Sequence, residues 1–221
     1  MHVTSEPGIL YFGTPVVLLS TVNEDGSYNL APMSSAFWLG WRGILGLGAA
    51  SKTAQNMLRE RECVLNLPSV DVVGSVNRLA LTTGVDPVPE YKARRGYRFE
   101  RNKFGVSGLS PVPSEAVAPP RVRECPVQLE ARVEATHDLA EDDAMQRGRI
   151  VTFEVRIVRV HLEESILMQG ERDRIDPDKW RPLIMSFQHF YGLGSRVHDS
   201  RLATIPESVY RGPDIERARA E

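Results

Sequence analysis

A strand–turn–strand pattern near the start of the chain does most to constrain the fold. Residues 14–22 are a run of β-branched and aliphatic side chains, and residues 24–27 (Glu-Asp-Gly-Ser) supply the turn of a hairpin. Residues 29–41 are predicted as the returning strand, with Pro32 at a bulge or an edge position. This pairing predicts an antiparallel sheet.

The residues after the hairpin predict a strand, a helix and another strand. Residues 43–50 are rich in Gly and Ala, so another backbone or a flat ligand can approach them closely. A helix is expected to begin at Ser51 or Lys52 and to end near Arg61, and residues 63–67 form a short apolar strand.

The middle of the chain has weaker patterns. Residues 70–81 and 91–103 predict helices, residues 82–89 a turn-rich connection, and residues 105–123, with four prolines, a long loop. The basic residues of the second predicted helix are expected to form a solvated face: Arg94, Arg95, Arg98, Arg101 and Lys103.

Two alternating segments, 127–137 and 150–161, predict half-buried strands, with one slip at residues 157–158 that indicates a bulge. Residues 138–149 are a polar connector. Several antiparallel strands with interspersed helices indicate a mainly β, α+β fold. We expect a closed or nearly closed barrel with helical cover, and not a parallel α/β sheet.

Length and composition fit one domain over residues 1–221, with a core at about 10–195 and a C-terminal extension at 196–221. The net charge of −2 gives no bulk attraction to nucleic acid or an anionic membrane. No window approaches the ~18 apolar residues of a membrane span. Cys63 and Cys125 are expected to be buried thiols, which together with the lack of a signal segment predicts a cytoplasmic protein.

The predicted helix start at Ser51-Lys52-Thr53 has the chemistry of a phosphate site. Free amides and the helix dipole favour an anion there, and the segment adds two hydroxyls and one ammonium group. Asn56 lies one turn further on. A purely structural alternative is that Ser51 only caps the helix. Neither a Walker loop nor a G-x-G-x-x-G motif is present, which argues against a Rossmann nucleotide site.

Residues 29–35 (Asn-Leu-Ala-Pro-Met-Ser-Ser) have the chemistry to bind the polar ring of a flavin. An isoalloxazine needs donors for its carbonyl oxygens and N5 and an acceptor for N3, and strand backbone with Ser and Asn side chains provides both. With a phosphate site about twenty residues later, this segment suggests a site for flavin mononucleotide (FMN).

The chain resembles the flavin reductase-like proteins of the FMN-binding split-barrel superfamily, closest to their flavoredoxin-like subgroup. The resemblance covers nearly all of residues 10–195, and its most specific part is residues 14–69. It is carried by these segments: N-L-A-P-M-S-S at 29–35, S-K-T-A-Q-N at 51–56, C-V-L-N-L-P-S at 63–69, residues 124–130, 160–162, 181–184 and 191–194. It implies a Greek-key antiparallel split barrel that forms a homodimer with FMN near the interface.

Carried over residue by residue, the resemblance implies two groups of FMN ligands. Asn29, Ala31, Pro32, Met33, Ser34 and Ser35 would line the ring and ribityl chain, and Ser51, Lys52, Thr53 and Asn56 would hold the phosphate. Many NAD(P)H-dependent relatives carry Gly-Asp-His at the start of their last long strand, where the His meets the nicotinamide. This chain has Gly148-Arg149-Ile150 at that place.

The predicted function is that of a flavin reductase-like oxidoreductase that transfers electrons through bound FMN. Whether NAD(P)H is its second substrate is left open by the sequence. The partner is then a small-molecule electron donor or acceptor. Two alternatives remain: an FMN-dependent enzyme for a specific organic substrate, and a non-catalytic flavin carrier. A pyridoxamine-phosphate-oxidase-like function fits residues 29–56 less well.

The remaining polar and aromatic residues give little sign of catalysis. His189 and Tyr191 are the catalytic candidates, although packing explains them as well, and His137 and His161 are expected to be solvated. Phe37, Trp38 and Trp41 fit the core or the dimer seam, and one of these aromatics could border the ring. No His, Cys or Asp spacing suggests a metal site.

Overall fold

The computed structural model describes residues 1–220 and is built on one seven-stranded antiparallel sheet. In chain order the strands of the described residues are β1 (Phe12–Pro15), β2 (Val17–Val22), β3 (Tyr28–Met33), β4 (Ala36–Leu39), β5 (Arg42–Gly48), β6 (Glu62–Leu67), β7 (Thr82–Thr83), β8 (Arg98–Phe99), β9 (Pro111–Val112), β10 (Arg121–Val122), β11 (Val127–Asp138), β12 (Ile150–Leu162), β13 (Ile184–Ser186) and β14 (His189–Tyr191). The α-helices are α1 (Lys52–Glu60), α2 (Val73–Leu79), α3 (Glu90–Ala93), α4 (Lys103–Ser107) and α5 (Pro213–Ala220).

The sheet curls into a split barrel because its two edge strands are consecutive in the chain. Its strand order is β3-β2-β6-β11-β12-β5-β4, and only Ser34 and Ser35 separate β3 from β4. The amide of Gly46 on β5 donates to the carbonyl oxygen of Ser35 at 2.9 Å, which fixes this junction. The fold class is therefore the expected one, a mainly β split barrel with a few covering helices.

Apolar side chains from the strands of the seven-stranded sheet fill the barrel, and α1 packs against one side of this core. Leu19, Leu65 and Phe153 are completely buried inside, and so are Ala54 and Met57 of α1. Ser51 caps the start of α1, which was the structural alternative to its role as a phosphate ligand. The end of α1 is marked by Arg61, which has a positive φ of 60°.

A second apolar cluster covers the outer face of β2 and β3. It is formed mainly by α2, α4 and the chain near β10, and its buried members include Leu18, Leu30, Val76, Leu79, Phe104 and Val122. Cys63 and Cys125 are both free and buried, as expected. No helix of residues 1–220 is long and apolar enough to cross a membrane.

The long strands agree closely with the sequence prediction. β11 and β12 pair along their whole length. Glu130 pairs with Arg159, and the next residue, Ala131, pairs with Ile157, so Val158 is an extra residue on β12. The predicted slip at residues 157–158 is thus a β-bulge. In the first half, the long strand predicted over 29–41 is instead two strands that meet at Ser34 and Ser35.

The helix predicted over residues 91–103 is wrong. The helix α3 covers only Glu90–Ala93, and Gly96, with a φ of 82°, lies beyond its end. Lys103 is the first residue of the next helix, α4. The backbone then pairs with β7: Arg98 N donates to Leu81 O, and Glu100 N donates to Thr83 O. Main-chain pairing with a neighbouring segment has outweighed the local helical pattern, so the basic residues here do not share a helix face.

The segment predicted as a loop over residues 105–123 is held down by a buried carboxylate. Glu130 of β11 is fully buried and accepts hydrogen bonds from the amides of Glu115 and Ala116. A carboxylate oxygen of Glu130 also lies 2.7 Å from Nε2 of His161. The His161 side chain is mostly buried, so the prediction that it is solvated is wrong. Burial raises the pKa of Glu130, but the hydrogen bonds from His161 and the amides outweigh it, and the pKa is lowered.

We predict that Glu130→Ala releases this segment. Loss of the acceptor leaves two amides and His161 without their partner, so the free energy of unfolding should fall by about 3 kcal/mol. Hydrogen exchange at Glu115 and Ala116 should become faster. Glu90→Ala, at an exposed i,i+4 ion pair, is the control and should change stability by less than about 0.5 kcal/mol. Unchanged exchange at both amides in Glu130→Ala would contradict this role.

Candidate functional site

The predicted phosphate ligands at the start of α1 are already engaged with protein groups. The side chain of Ser51 accepts a hydrogen bond from the amide of Ala54 at 3.2 Å, which is the capping role. Nζ of Lys52 lies 3.2 Å from a carboxylate oxygen of Glu24, and Arg59 shares that carboxylate. Lys52 thus sits at the helix start with its charge partly neutralised.

Asn29, Thr53 and Asn56 come together in one buried polar network. Nδ2 of Asn29 donates to Oγ1 of Thr53 at 3.0 Å. Nδ2 of Asn56 donates to Thr21 and to Asn23, on β2 and the turn after it. All three residues are almost fully buried. The hydrogen bond between Asn29 and Thr53 joins β3 to α1. Asn56 faces the hairpin turn, and its role as a ligand stays a prediction.

Gly84 brings a third backbone segment against these residues. A Cβ atom added to Gly84 would lie 2.9 Å from Oδ1 of Asn29 and 3.0 Å from Cγ of Lys52. Such distances are shorter than ordinary contacts, so only glycine lets the chain pass here. Sequence analysis did not single out Gly84, although it follows two threonines in Thr82-Thr83-Gly84.

A buried ammonium group lies at the other end of the same segment. Lys103 is 2% exposed, and its Nζ lies 2.5 Å from Oγ1 of Thr82. It makes no ion pair with any carboxylate of the described residues. We call Lys52, Thr82, Gly84 and Lys103 the cationic cradle. Sequence analysis had placed Lys103 on a solvated face, and the structure corrects this because α4 packs onto β3 and buries it.

The electrostatics of the cradle favour an anion. Burial lowers the pKa of Lys103 to about 8, and the charges of Lys92 and Arg98 also lower it, whereas Glu100 raises it. A buried cation without an anionic partner is unfavourable, and an anion placed next to it removes that penalty. The donors here are ammonium groups, hydroxyls and backbone amides, all of which suit a phosphate.

The predicted ring-binding residues line the gap between the edge strands. β3 has a hydrogen-bonded neighbour on one side only, so part of its backbone N–H and C=O groups face the gap. Ala31, Pro32, Met33 and Ser34 are partly exposed there, and Ser35 is exposed. Phe37 is half exposed on β4, whereas Trp38 and Trp41 pack against the core.

Residues 148–150 lie beside the start of α1. Ala49 N donates to Arg149 O at 3.0 Å, and Ile150 pairs with Gly48 at the end of β5. The side chain of Ile150 is 41% exposed. The place where the resemblance leads us to expect a His is therefore occupied by the apolar side chain of Ile150, near the start of α1.

The catalytic candidates lie in a separate part of the fold. His189 and Tyr191 are exposed on β14, which pairs with β13 in a three-stranded sheet with β1. No hydrogen bond, ion pair or ring contact within residues 1–220 joins either side chain to residues 29–56. Within the same range, no cluster of His, Cys, Asp or Glu is arranged to hold a metal ion.

A large cavity of about 1860 Å³ also lies elsewhere. It lies between the ends of β11 and β12 and the C-terminal segment, with Arg121, Gln128, His161, Arg174 and Ile215 among its lining residues. None of the predicted ligands lines it. Its volume exceeds the ~300–1,000 Å³ of typical small-molecule sites. The chemistry of the cationic cradle and the gap makes that region the better candidate for a nucleotide.

Comparison with known proteins agrees with this fold. The model of the flavin reductase like domain matches residues 9–194. The chain belongs to the flavin reductase-like family. An uncharacterized protein of Bacillus subtilis, YdfE, is 39% identical over 192 residues, which cover 87% of this chain and 89% of that protein.

Several solved structures have a similar fold. Flavoredoxin of Desulfovibrio vulgaris gives a TM-score of 0.73 at 21% identity, covering 93% of this chain and all of that one. Nitrilotriacetate monooxygenase component B from Bacillus cereus gives 0.68 at 19% identity, covering 85% and 87%. At these identities the likeness concerns the fold, whereas family membership supports a flavin-related oxidoreductase role.

We predict that Lys103→Met stabilises the ligand-free protein. The pKa of Lys103 is about 8 in the folded chain, against 10.5 for an unperturbed lysine, which is the value expected in the unfolded chain. Below pH 8 the buried group is protonated, and the cost of burying its charge lowers the free energy of unfolding. In buffer without phosphate, the variant should be more stable by about 2 kcal/mol below pH 8. The difference should close as the pH rises toward 10.5.

Chemical denaturation across this pH range measures the effect. The control is Lys179→Met, because Lys179 is about half exposed. It should show no such pH dependence. A difference between Lys103→Met and the parent that does not change with pH would contradict a strained buried charge.

Proposed function

We propose that this protein is an FMN-dependent oxidoreductase that passes electrons through FMN. The observation that carries the proposal is the cationic cradle, in which the buried Lys103 lacks an anionic partner. The cradle lies next to a gap between edge strands whose backbone groups suit a flavin ring. Bound FMN would supply hydride and electron transfer, and the protein would supply its position and electrostatic environment.

The phosphate end of FMN would be held by charge and by close backbone approach. Lys52 at the start of α1 and Lys103 beside Thr82 supply two ammonium groups. Gly84 lets its backbone pack closely against Asn29 and Lys52, and a side chain there would push these two residues out of place. Ser51 and Thr53 add hydroxyls at the helix start, where the amides favour an anion.

The ring end would lie along residues 29–35. The free edge of β3 offers amides and carbonyl oxygens to the polar edge of the ring, and amides near N5 and O2 would stabilise negative charge on the reduced ring. Ser34 and Ser35 add hydroxyls where β3 turns into β4. These residues thereby position the ring and exclude water from one side of it.

The electron donor is the second part of the proposal, and Ile150 bears on it directly. An apolar side chain at this position offers no imidazole to a nicotinamide. We therefore propose that the physiological route is electron transfer with a small-molecule or protein partner. We expect direct reduction by NAD(P)H to be slow.

An anaerobic titration with NADH and NADPH, followed by flavin absorbance, tests the route. Slow or absent reduction together with full reduction by dithionite is the expected result. Fast reduction by either nucleotide, with free flavin as acceptor, would identify an NAD(P)H:flavin reductase. If the bound flavin is reduced only when one particular organic compound is present, the substrate-specific alternative is favoured. If no reductant reduces the bound flavin at a useful rate, the protein is a flavin carrier.

Binding of FMN is tested with variants of the cradle. Lys103→Met should weaken FMN binding about tenfold, which is the effect of one charge-assisted contact to phosphate, and Lys52→Met should weaken it less because Glu24 already shares Lys52. Riboflavin, which lacks the phosphate, should bind all three proteins alike. Quenching of flavin fluorescence measures both ligands. No binding of FMN by the parent protein would refute the proposal.

Gly84→Ala provides a steric test of the same site. Because its Cβ would intrude between Asn29 and Lys52, FMN affinity should fall at least about tenfold. Gly74→Ala is the matched control, since its Cβ would meet only the end of Arg78 at 3.7 Å. Equal FMN affinity of the two alanine variants, with both folded by circular dichroism, would remove Gly84 from the site.

We also propose that the chain is one domain and assembles as a cytoplasmic homodimer. The C-terminal segment carries exposed apolar side chains that a second copy of the chain would cover, and this supports a dimer. They include Val197, Leu202, Val209 and Tyr210. Two buried reduced cysteines suit a reducing compartment. Light scattering after size exclusion measures the assembly, and a monomer at micromolar concentration would contradict it.

A further inference from the structure

Residues 90–103 concentrate a positive charge that the proposed flavin site uses only in part. The segment has six basic and two acidic side chains, whereas the whole chain has a net charge of −2, so the rest of the chain is acidic. Only Lys103 of this segment belongs to the cationic cradle. The other five basic residues form what we call the basic surface: Lys92, Arg94, Arg95, Arg98 and Arg101.

The arginines of the basic surface are open to solvent and to an incoming anion. Arg94 and Arg101 are each in one ion pair, and both pairs are exposed. Exposed ion pairs contribute little to stability, so an arriving carboxylate can replace them. Arg95 and Arg98 are exposed and make no ion pair with a carboxylate of residues 1–220.

Lys92 connects the basic surface to the cationic cradle. Its Nζ donates to Oγ1 of Thr83 at 3.4 Å and lies 5.8 Å from the centre of the Tyr97 ring. Thr83 stands between Thr82 and Gly84, which are both members of the cradle. A molecule bound on the basic surface would therefore lie beside the proposed phosphate site.

Exposed apolar side chains lie among these charges. Tyr91 is 49% exposed and Phe99 is 40% exposed. Leu81 is exposed as well, and its carbonyl oxygen accepts a hydrogen bond from Arg98 N at 3.0 Å. The φ of Leu81 is 55°, a conformation that leucine rarely adopts, and such strained residues are frequent where a protein binds another molecule. Aromatic and arginine side chains together are typical of protein–protein interfaces.

This mixture of charged and apolar groups decides which kind of anion fits. A nucleic acid or an anionic membrane would be repelled by the acidic rest of the chain as it approached. A small anion would leave the exposed aromatic side chains uncovered. A protein with an acidic face satisfies both parts, because its carboxylates meet the arginines while its apolar groups cover Tyr91 and Phe99.

We propose that the basic surface docks a small acidic protein that carries one electron at a time, of the ferredoxin or flavodoxin class. The inference rests on the proposed function and names the partner that delivers electrons to the flavin site. Complexes of this kind are weak and bury less than about 1,200 Å² in total, an area that one short segment and its neighbours can supply. Attraction between opposite charges would speed the encounter.

The transfer of electrons balances over two encounters. Two molecules of the reduced carrier each give up one electron and are oxidised. Together with two protons from water, these electrons bring one bound FMN to its two-electron reduced form. The chain contributes the docking position, and it leaves the proton supply to solvent.

Docking is measured first on the flavin-free protein, without any measurement of turnover. A plant-type ferredoxin and a flavodoxin, both oxidised, are titrated with the full chain by isothermal titration calorimetry. At least one of them should bind at low salt with a dissociation constant on the order of 10 μM. Binding should weaken as salt is added, because exposed charges are screened. The reduced form of the same carrier should then reduce the FMN-loaded protein in anaerobic stopped flow.

Two variants separate the charged part of the surface from the apolar part. Arg95→Glu and Tyr91→Ala should each weaken binding of the carrier about fivefold. Neither residue belongs to the cationic cradle, so both variants should keep the FMN affinity of the parent within about twofold. Thermal midpoints of the ligand-free proteins check that both variants are folded.

Arg172→Glu is the matched control, because it makes the same change in net charge at another place. Arg172 is an exposed arginine without an ion pair in residues 1–220, and it lies at the large cavity, which no residue of the basic surface lines. This variant should bind the carrier within about twofold of the parent.

The outcomes separate the inference from the proposed function. If neither carrier binds, or if Arg172→Glu weakens binding as much as Arg95→Glu does, the docking surface is overturned and the FMN site stands. If either surface variant turns a dimer into a monomer in light scattering, the surface is a contact between two copies and carrier docking is overturned. Tighter binding of a single-stranded oligonucleotide than of either carrier would also overturn it. If a carrier binds as expected but FMN does not, the proposed function fails and only the docking stands.

Discussion

The two-residue connection between β3 and β4 is the constraint on which the rest of the structure depends. Because Ser34 and Ser35 join the two edge strands of a seven-stranded sheet, the sheet must curl until its edges approach each other. The edges do not pair, so backbone groups remain free in the gap between them. An unpaired edge is normally a liability, and a planar polar ligand is one means of satisfying it. The split in the barrel and the candidate ring site therefore have the same cause.

The second constraint is electrostatic and concerns the outer side of the same strand. α4 packs on β3 through Phe104, and this packing carries the preceding residue, Lys103, into the interior. A buried ammonium held by a single hydroxyl is stabilised far less than one in water. The fold keeps this charge although an apolar residue would pack better, which is typical of groups whose task is to meet a ligand. Stability of the free protein and affinity for an anion thus depend on Lys103 in opposite directions.

Sequence patterns predicted the parts of the structure that depend on local chemistry. The cap at Ser51, the helix that follows it, the alternation of β11 and β12 and the bulge at Val158 were all visible in the sequence. The ring-binding and phosphate-binding roles of residues 29–56 remain predictions, although Asn29, Thr53 and Asn56 do meet. Non-local contacts were not visible. The pairing of β8 with β7 turned a helical pattern into a strand, and a partner thirty-one residues away buried His161.

The same limit explains why the cradle was missed. The spacing of Thr82, Gly84 and Lys103 in the sequence matches no motif. They form one site only because Gly84, just after β7, packs against Lys52 while α4 places Lys103 next to Thr82. Glu24 adds a further consequence, since its carboxylate already occupies one side of Lys52. An arriving phosphate must share Lys52 with Glu24, but it meets no carboxylate paired with Lys103. The larger part of the electrostatic gain on binding should therefore come from Lys103, the residue that sequence reasoning had left on the surface.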